Sequence, residues 1–227
     1  HRINWLVQMH DRNLGCILAD SPGMGKTLQA VSLMVNRPMP LCFENTNKAT
    51  LIACPPVLAD QWVREIKAWA PDIQCHLVAS NKKQRVVDLL PEDADVLVVP
   101  FTVLKNELNF METSRRSSRH DNKTQNGHLS AFATTTFWRV ILDEVQQCSS
   151  TNSAGKTIRI IPTYHRVAIS GTPAPERGSS HCATTDHGMP ALNDLLAFIW
   201  TPSMMQSWHD KCRIRTKTQP EIVESLV

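Results

Sequence analysis

Two clusters of residues in this 227-residue chain have the types and spacing for chemistry on a phosphate. The first is Ser21-Pro22-Gly23-Met24-Gly25-Lys26-Thr27. Gly23 and Gly25 let the backbone turn sharply with its N–H groups facing inward, and a helix starting near Lys26 adds the positive end of its dipole, so the loop can hold an anion. The anion implied is a nucleotide phosphate. Lys26 would reach the terminal phosphates, and the Thr27 hydroxyl would ligate a magnesium ion bridging them. The strict pattern for such loops asks for glycine where Asp20 stands, so the flanking segments must carry the assignment. The bland alternative is a glycine-rich turn ending in a surface lysine.

The second cluster is Asp143-Glu144, at the end of the apolar run Trp138-Arg139-Val140-Ile141-Leu142. Ligands of open α/β sheets bind beyond the carboxyl ends of the strands, which is where this run would deliver both carboxylates. Asp143 would hold the magnesium ion, directly or through water, and Glu144 would orient and deprotonate the attacking water. Together the clusters form the minimum set for nucleotide hydrolysis.

The elements that must position them follow from hydrophobic period. Leu14 to Ala19 reads as a strand entering the loop, and Leu28, Val31, Leu33, Met34 and Val35 as a helix leaving it. Before them, Ile3, Trp5, Leu6, Val7 and Met9 predict a short helix packed beside the nucleotide. Pro38 to Lys48 reads as a loop. Thr50-Leu51-Ile52-Ala53-Cys54 is a continuous apolar strand ended by Pro55-Pro56, and Val57 to Trp69 is helical with Val57, Leu58, Trp62, Ile66 and Trp69 on one face. Cys75 to Ala79 and Asp95 to Val99 read as strands with a basic-faced helix, Lys82 to Leu90, between them. A further strand, Arg166 to Ser170, leads to Gly171-Thr172-Pro173, and Leu192, Leu195, Leu196, Phe198 and Ile199 mark a last helix. The tail beyond Met204 reads as helical but mixed. Alternating strands and helices imply right-handed crossovers and a parallel sheet covered on both faces.

Two polar stretches interrupt the alternation, at about residues 109–136 and 175–190. The first holds Arg115, Arg116, Arg119 and Lys123, and reads as a solvated loop or as an arm touching phosphates. A net charge of +3 permits a nucleic-acid partner without arguing for one. Seven scattered cysteines without a CxxC pair point to reduced thiols and a reducing compartment, cytosol or nucleus. His181, Cys182 and His187 lack a fourth ligand at metal-binding spacing. No apolar run is long enough for a membrane span. The length suits one domain, and a start at His1 suggests a piece of something longer.

At this point the residues resemble a known family. Asp143-Glu144-Val145-Gln146 resembles the "DEAH" box of superfamily-two helicases, and Ser170-Gly171-Thr172-Pro173 resembles their third motif. Trp138 to Glu144, the Leu51 to Ile66 segment with Cys54-Pro55-Pro56 and Gln61-Trp62, and Trp5-Leu6 narrow this further. They are similar to the first RecA-like lobe of Swi/Snf-type ATPases, DNA translocases that remodel chromatin or act in DNA repair. The similarity runs from Trp5 to about Trp208, including the phrase from Leu192 to Ile199.

The resemblance implies a RecA-like parallel β-sheet sandwiched by helices, ATP and Mg2+ as substrate and cofactor, movement along duplex DNA, and a nuclear location with chromatin among the possible partners. It gives Lys26, Asp143, Glu144 and Gln146 catalytic roles, makes Ser170, Gly171 and Thr172 the coupling turn, and assigns weak DNA contacts to Pro55, Pro56 and Thr102. It also implies a second RecA-like lobe outside this chain, whose arginines complete the ATP site. Gln146 stands where the family has histidine, and Ser21-Pro22 replaces its usual acidic entry to the loop. Two other readings compete: a P-loop enzyme of another class, such as a small-molecule kinase, and a degenerate lobe kept for nucleotide or DNA binding without catalysis.

Overall fold

The computed structural model describes residues 2–43, 46–78, 91, 93–107, 131–172 and 189–199. The expected helix at Lys82 to Leu90, most of both polar stretches, Pro173, the His181 group and the tail lie outside these residues. The elements in chain order are α1 (Arg2–Asp11), β1 (Cys16–Leu18), α2 (Lys26–Asn36), β2 (Thr46–Cys54), α3 (Pro56–Trp69), β3 (Cys75–Leu77) and β4 (Val96–Pro100). They continue with α4 (residues 101–107), α5 (Ala131–Thr134), β5 (Thr136–Asp143), a 3-10 turn (Val145–Gln147), α6 (Ser153–Ile160), β6 (Thr163–Ile169) and α7 (Met189–Ile199).

The six strands form one parallel sheet in the order β1-β6-β5-β2-β4-β3. Successive side chains on a strand point to opposite faces, and here both faces are apolar. Ala49, Leu51, Ala53, Leu97, Val99, Val140 and Leu142 face one layer, with Val103, Phe132, Ile158 and Phe198 from α4 to α7. Ile52, Cys54, Val96, Val98 and Ile141 face the other, with Leu6, Leu33, Trp62 and Ile66 from α1, α2 and α3. This three-layer arrangement is the expected RecA-like class. Its consequence for function is directional: Leu18, Cys54, Pro100, Asp143 and Ile169 all end at the same edge of the sheet.

Several boundaries differ from the sequence reading. The expected loop Pro38 to Lys48 is cut short, because β2 begins at Thr46 and pairs with Thr136 and Phe137 of β5 before a register shift at Thr50. The polar stretch at 109–136 ends in order, with α5 covering Phe137 through Phe132, and the stretch at 175–190 gives way to α7 at Met189. Helix α6, which the sequence reading leaves unassigned, buries Ala154 and Ile158 at helical spacing, and Asn152 starts it by accepting the Gly155 N–H at 2.7 Å. Strand β1 shrinks to three residues and ends the described sheet. Just before it, α7 comes so close that a Cβ on Gly15 would lie 2.1 Å from the Ile199 carbonyl oxygen.

Candidate active site

The candidate phosphate loop, Ser21 to Thr27, joins β1 to α2. Gly23 (φ 83°) and Gly25 (φ 71°) occupy the left-handed region, and a Cβ on either would meet nothing within 4 Å. The requirement for glycine there is therefore conformational and not one of packing. Lys26, the first residue of α2, donates from Nζ to the carbonyl oxygens of Asp20 at 2.7 Å and Ser21 at 3.2 Å, so its ammonium lies across the loop.

Asp20, the residue that breaks the glycine pattern, acquires a reason. Its Oδ2 accepts from Gln29 Nε2 at 3.0 Å and lies 3.2 Å from Arg2 Nη1. Gln29 also donates to the Met24 carbonyl at 3.1 Å. One carboxylate thus ties α1 and α2 to the entry of the loop. Nothing in local sequence pattern signals this anchor.

Asp143 is the last residue of β5 and is 8% exposed. Its Oδ2 accepts the Trp62 indole N–H at 2.8 Å, and its Oδ1 accepts the Glu144 backbone N–H at 2.9 Å. Burial pushes its pKa up, the Trp62 bond opposes that, the neighbouring Glu144 charge adds to it, and Lys26 opposes it. The Lys26 charge at the start of α2 therefore acts on the carboxylate at the end of β5.

Beyond Asp143 the chain swings through Glu144 with φ 50° and ψ 50°, a left-handed conformation in a residue with a side chain, and enters the 3-10 turn. Gln146 Nε2 donates to Glu144 Oε2, and Gln146 Oε1 accepts from Ser170 Oγ at 2.7 Å. Ser170 Oγ accepts the Thr172 N–H at 2.9 Å, while the Ser170 N–H donates to the Leu18 carbonyl of β1 at 3.1 Å. A Cβ on Gly171 would lie 3.3 Å from Pro22 Cγ and 3.8 Å from Lys26 Nζ. The phosphate loop, the carboxylates and the Ser170-Gly171-Thr172 turn thus form one contiguous group.

Pro55, Pro56 and Thr102 occupy the same sheet edge, at the starts of α3 and α4. Pro55 is buried, and Pro56 and Thr102 are exposed. Prolines carry no N–H, so the first backbone donor after Cys54 is the Val57 amide. Among the described residues no group of three or more His, Cys, Asp and Glu could hold a metal ion. The oxygen donors at hand, the half-buried Thr27 hydroxyl on the first turn of α2 and the Asp143 carboxylate, match the few-ligand preference of magnesium held partly by substrate phosphates. Cys16, Cys54, Cys75 and Cys148 are free thiols with pKa values raised by burial, away from any catalytic role.

Comparison with known proteins agrees with this geometry. The ISWI chromatin-remodeling complex ATPase ISW1 of Saccharomyces cerevisiae is 26% identical over 177 residues, 75% of this chain and 14% of its own length. An uncharacterized ATP-dependent helicase of Schizosaccharomyces pombe, C23E6.02, is 30% identical over 176 residues, covering 74% of this chain and 16% of itself. The TATA-binding protein-associated factor MOT1 of S. cerevisiae is 26% identical over 215 residues, 90% of this chain and 10% of its own. The chain therefore spans only a small part of these relatives. In fold, the Sulfolobus solfataricus SWI2/SNF2 ATPase core in complex with dsDNA superposes with a TM-score of 0.57 at 20% identity, covering 87% of this chain and 33% of that one. The model of the SNF2-related domain matches residues 1–226, and the chain belongs to that family.

Proposed function

We propose that this chain is the ATP-binding and hydrolysing lobe of a DNA-dependent ATPase of the Swi/Snf class. The observation that carries the reading is the continuous path from Glu144 through Gln146 to Ser170, which sets the water-activating carboxylate against the turn abutting Lys26. ATP is the substrate. The loop amides and Lys26 bind its phosphates, Lys26 exchanging its bonds to the Asp20 and Ser21 carbonyls for phosphate oxygens. Thr27 and Asp143 would hold Mg2+, which when bound neutralises charge on the phosphates. Glu144 accepts a proton from the attacking water. Gln146 holds the Glu144 carboxylate at a fixed distance from Ser170, so a shift of that turn is passed to the base.

Duplex DNA is the proposed partner at Pro56, Thr102 and the Gly171-Thr172 turn. Such contacts to phosphates carry no sequence information, as a translocase requires. A facing RecA-like lobe, a place in chromatin remodelling or DNA repair and a nuclear location are part of the same proposal, which the ISWI chromatin-remodeling ATPase among the relatives supports for remodelling. Intact Lys26, Asp143 and Glu144 in one group support hydrolysis over a degenerate binding module.

Calorimetry tests the core of this reading. Lys26→Ala should abolish Mg-ATP binding while leaving the fold intact by circular dichroism. Equal affinity in the mutant would remove the loop from consideration as a nucleotide site.

A further inference from the structure

We propose that Trp62 is a positioning residue for the magnesium-holding carboxylate of Asp143, an inference that rests on the nucleotide-hydrolysis reading above. Trp62 lies in the second turn of α3, 3% exposed, on the buried face with Ala59 and Ile66. Packing alone would be satisfied there by phenylalanine or leucine. A buried indole, however, carries one N–H that must find an acceptor. The acceptor it finds is the Asp143 carboxylate, 81 residues further along the chain.

The geometry fixes the carboxylate from two sides. Oδ1 is held by the next backbone amide of its own chain and Oδ2 by α3, so rotating the carboxylate plane breaks both bonds. Each oxygen accepts one bond from these two donors and keeps a lone pair for a metal ion or its water. A carboxylate whose plane is set beforehand loses less freedom when an ion binds, which is why groups behind metal ligands matter to affinity. Removing the indole N–H would free the plane and leave Oδ2 buried without that donor. Helix α3 also starts at Pro55-Pro56, so one rigid element joins the loop proposed to meet DNA with the carboxylate proposed to hold the metal.

The test is a Mg2+ titration of N-methylanthraniloyl-ATP binding to this chain. Trp62→Phe should need about 10–100-fold more Mg2+ to reach half-maximal enhancement of binding. Its affinity for the metal-free nucleotide should stay within about twofold of the parent. Trp62→His, which restores a ring N–H, should recover part of the loss. In an Asp143→Asn background, Trp62→Phe should cost nothing more, because the two residues act through one bond. An unchanged Mg2+ midpoint in Trp62→Phe overturns the proposal alone, as does an equal loss with and without metal. A parent chain with no Mg-dependent binding overturns the nucleotide reading and this proposal with it. Should Trp62→Phe fail to fold, the assigned indole 15N–H resonance of Trp62 in the parent chain decides: it should move when Mg2+ is added at saturating ATP, and a stationary signal refutes the role.

Discussion

Glu144 is held at a backbone conformation that side-chain-bearing residues avoid, at a cost of roughly 1–3 kcal/mol. The left-handed turn ends β5 abruptly and throws the carboxylate toward Gln146, so the cost is tied to the position proposed for the base. Gln146 then serves as a two-ended link, its NH2 donating to Glu144 and its carbonyl accepting from Ser170. A histidine there could do the same only as one neutral tautomer and would alter the link on gaining a proton; glutamine keeps it constant across the physiological range. With Glu144→Gln, ATP binding should persist, since Lys26 and Asp143 remain, while turnover in a two-lobed parent protein should stop. Hydrolysis at the parental rate would remove Glu144 as the base.

At the scale of elements, β5 bears a different burden at each end. Its C-terminus carries the carboxylates, and near its start Arg139, 1% exposed, donates to Thr50 Oγ1 at 3.1 Å and to the Arg37 carbonyl at 2.7 Å. The Arg139 guanidinium also lies 2.9 Å from His10 Nε2, whose ring stacks on His165 with centroids 3.7 Å apart. Accepting from Arg139 requires a neutral His10. Burial, with the Arg139 charge, holds His10 down to about 4, and burial with the His10 and Arg139 charges holds His165 down to about 3. Once unfolded, both return to about 6.5, so below that pH the unfolded chain binds more protons than the folded one. Stability should therefore be level above about pH 6.5 and fall as pH drops toward 4, losing about 1–3 kcal/mol by about pH 5.5. Thermal melts across this range check it, and His165→Gln should flatten the acid limb.

The same elements show why the sequence was only partly readable. The phosphate loop was legible because its chemistry and its conformational demands sit within seven adjacent residues. Strand β4, and β5 from Val140 to Leu142, were legible because burial on both faces leaves an apolar run. Thr46 and Asn47 looked like loop because they pair at the rim of the sheet, where polar side chains reach water, and Lys48 falls in the register shift that follows. Trp62 looked like one more apolar position on α3, since its partner is remote in sequence and one N–H leaves no trace in hydrophobic period. Arg139 was hidden for the opposite reason: a charged residue inside an apolar run is buried only because α1, Thr50 and the Arg37 carbonyl meet it from elsewhere.

Taken as a whole, the molecule offers one wall of an active site. In the proposed reaction Lys26 is the cation that would meet the terminal phosphates, and arginines supplied from a facing domain are worth about 10³–10⁵ in rate for phosphoryl transfer. The isolated chain should accordingly hydrolyse ATP near background and respond little to DNA, and joining it to the second lobe of its parent should raise turnover by orders of magnitude and make it DNA-dependent. A steady-state assay on the purified chain decides; DNA-stimulated turnover matching the two-lobed protein would refute this division of labour. The placement of β1 bears on how even this one wall comes into being. Among the described residues the strand pairs only with β6, Cys16 against Val167 and Leu18 against Ile169, and the end of α7 closes over Gly15. The glycine loop leaves the ribosome before β6 and α7, the two elements that pack around β1. Closing so long a loop costs entropy that only a sheet already built from β5, β2 and β4 can offset. The proposed nucleotide site is therefore complete only once β6 is made, and a nascent chain halted before β6 carries the loop with its ties to α1 and α2 but without the strand that seats β1 in the sheet.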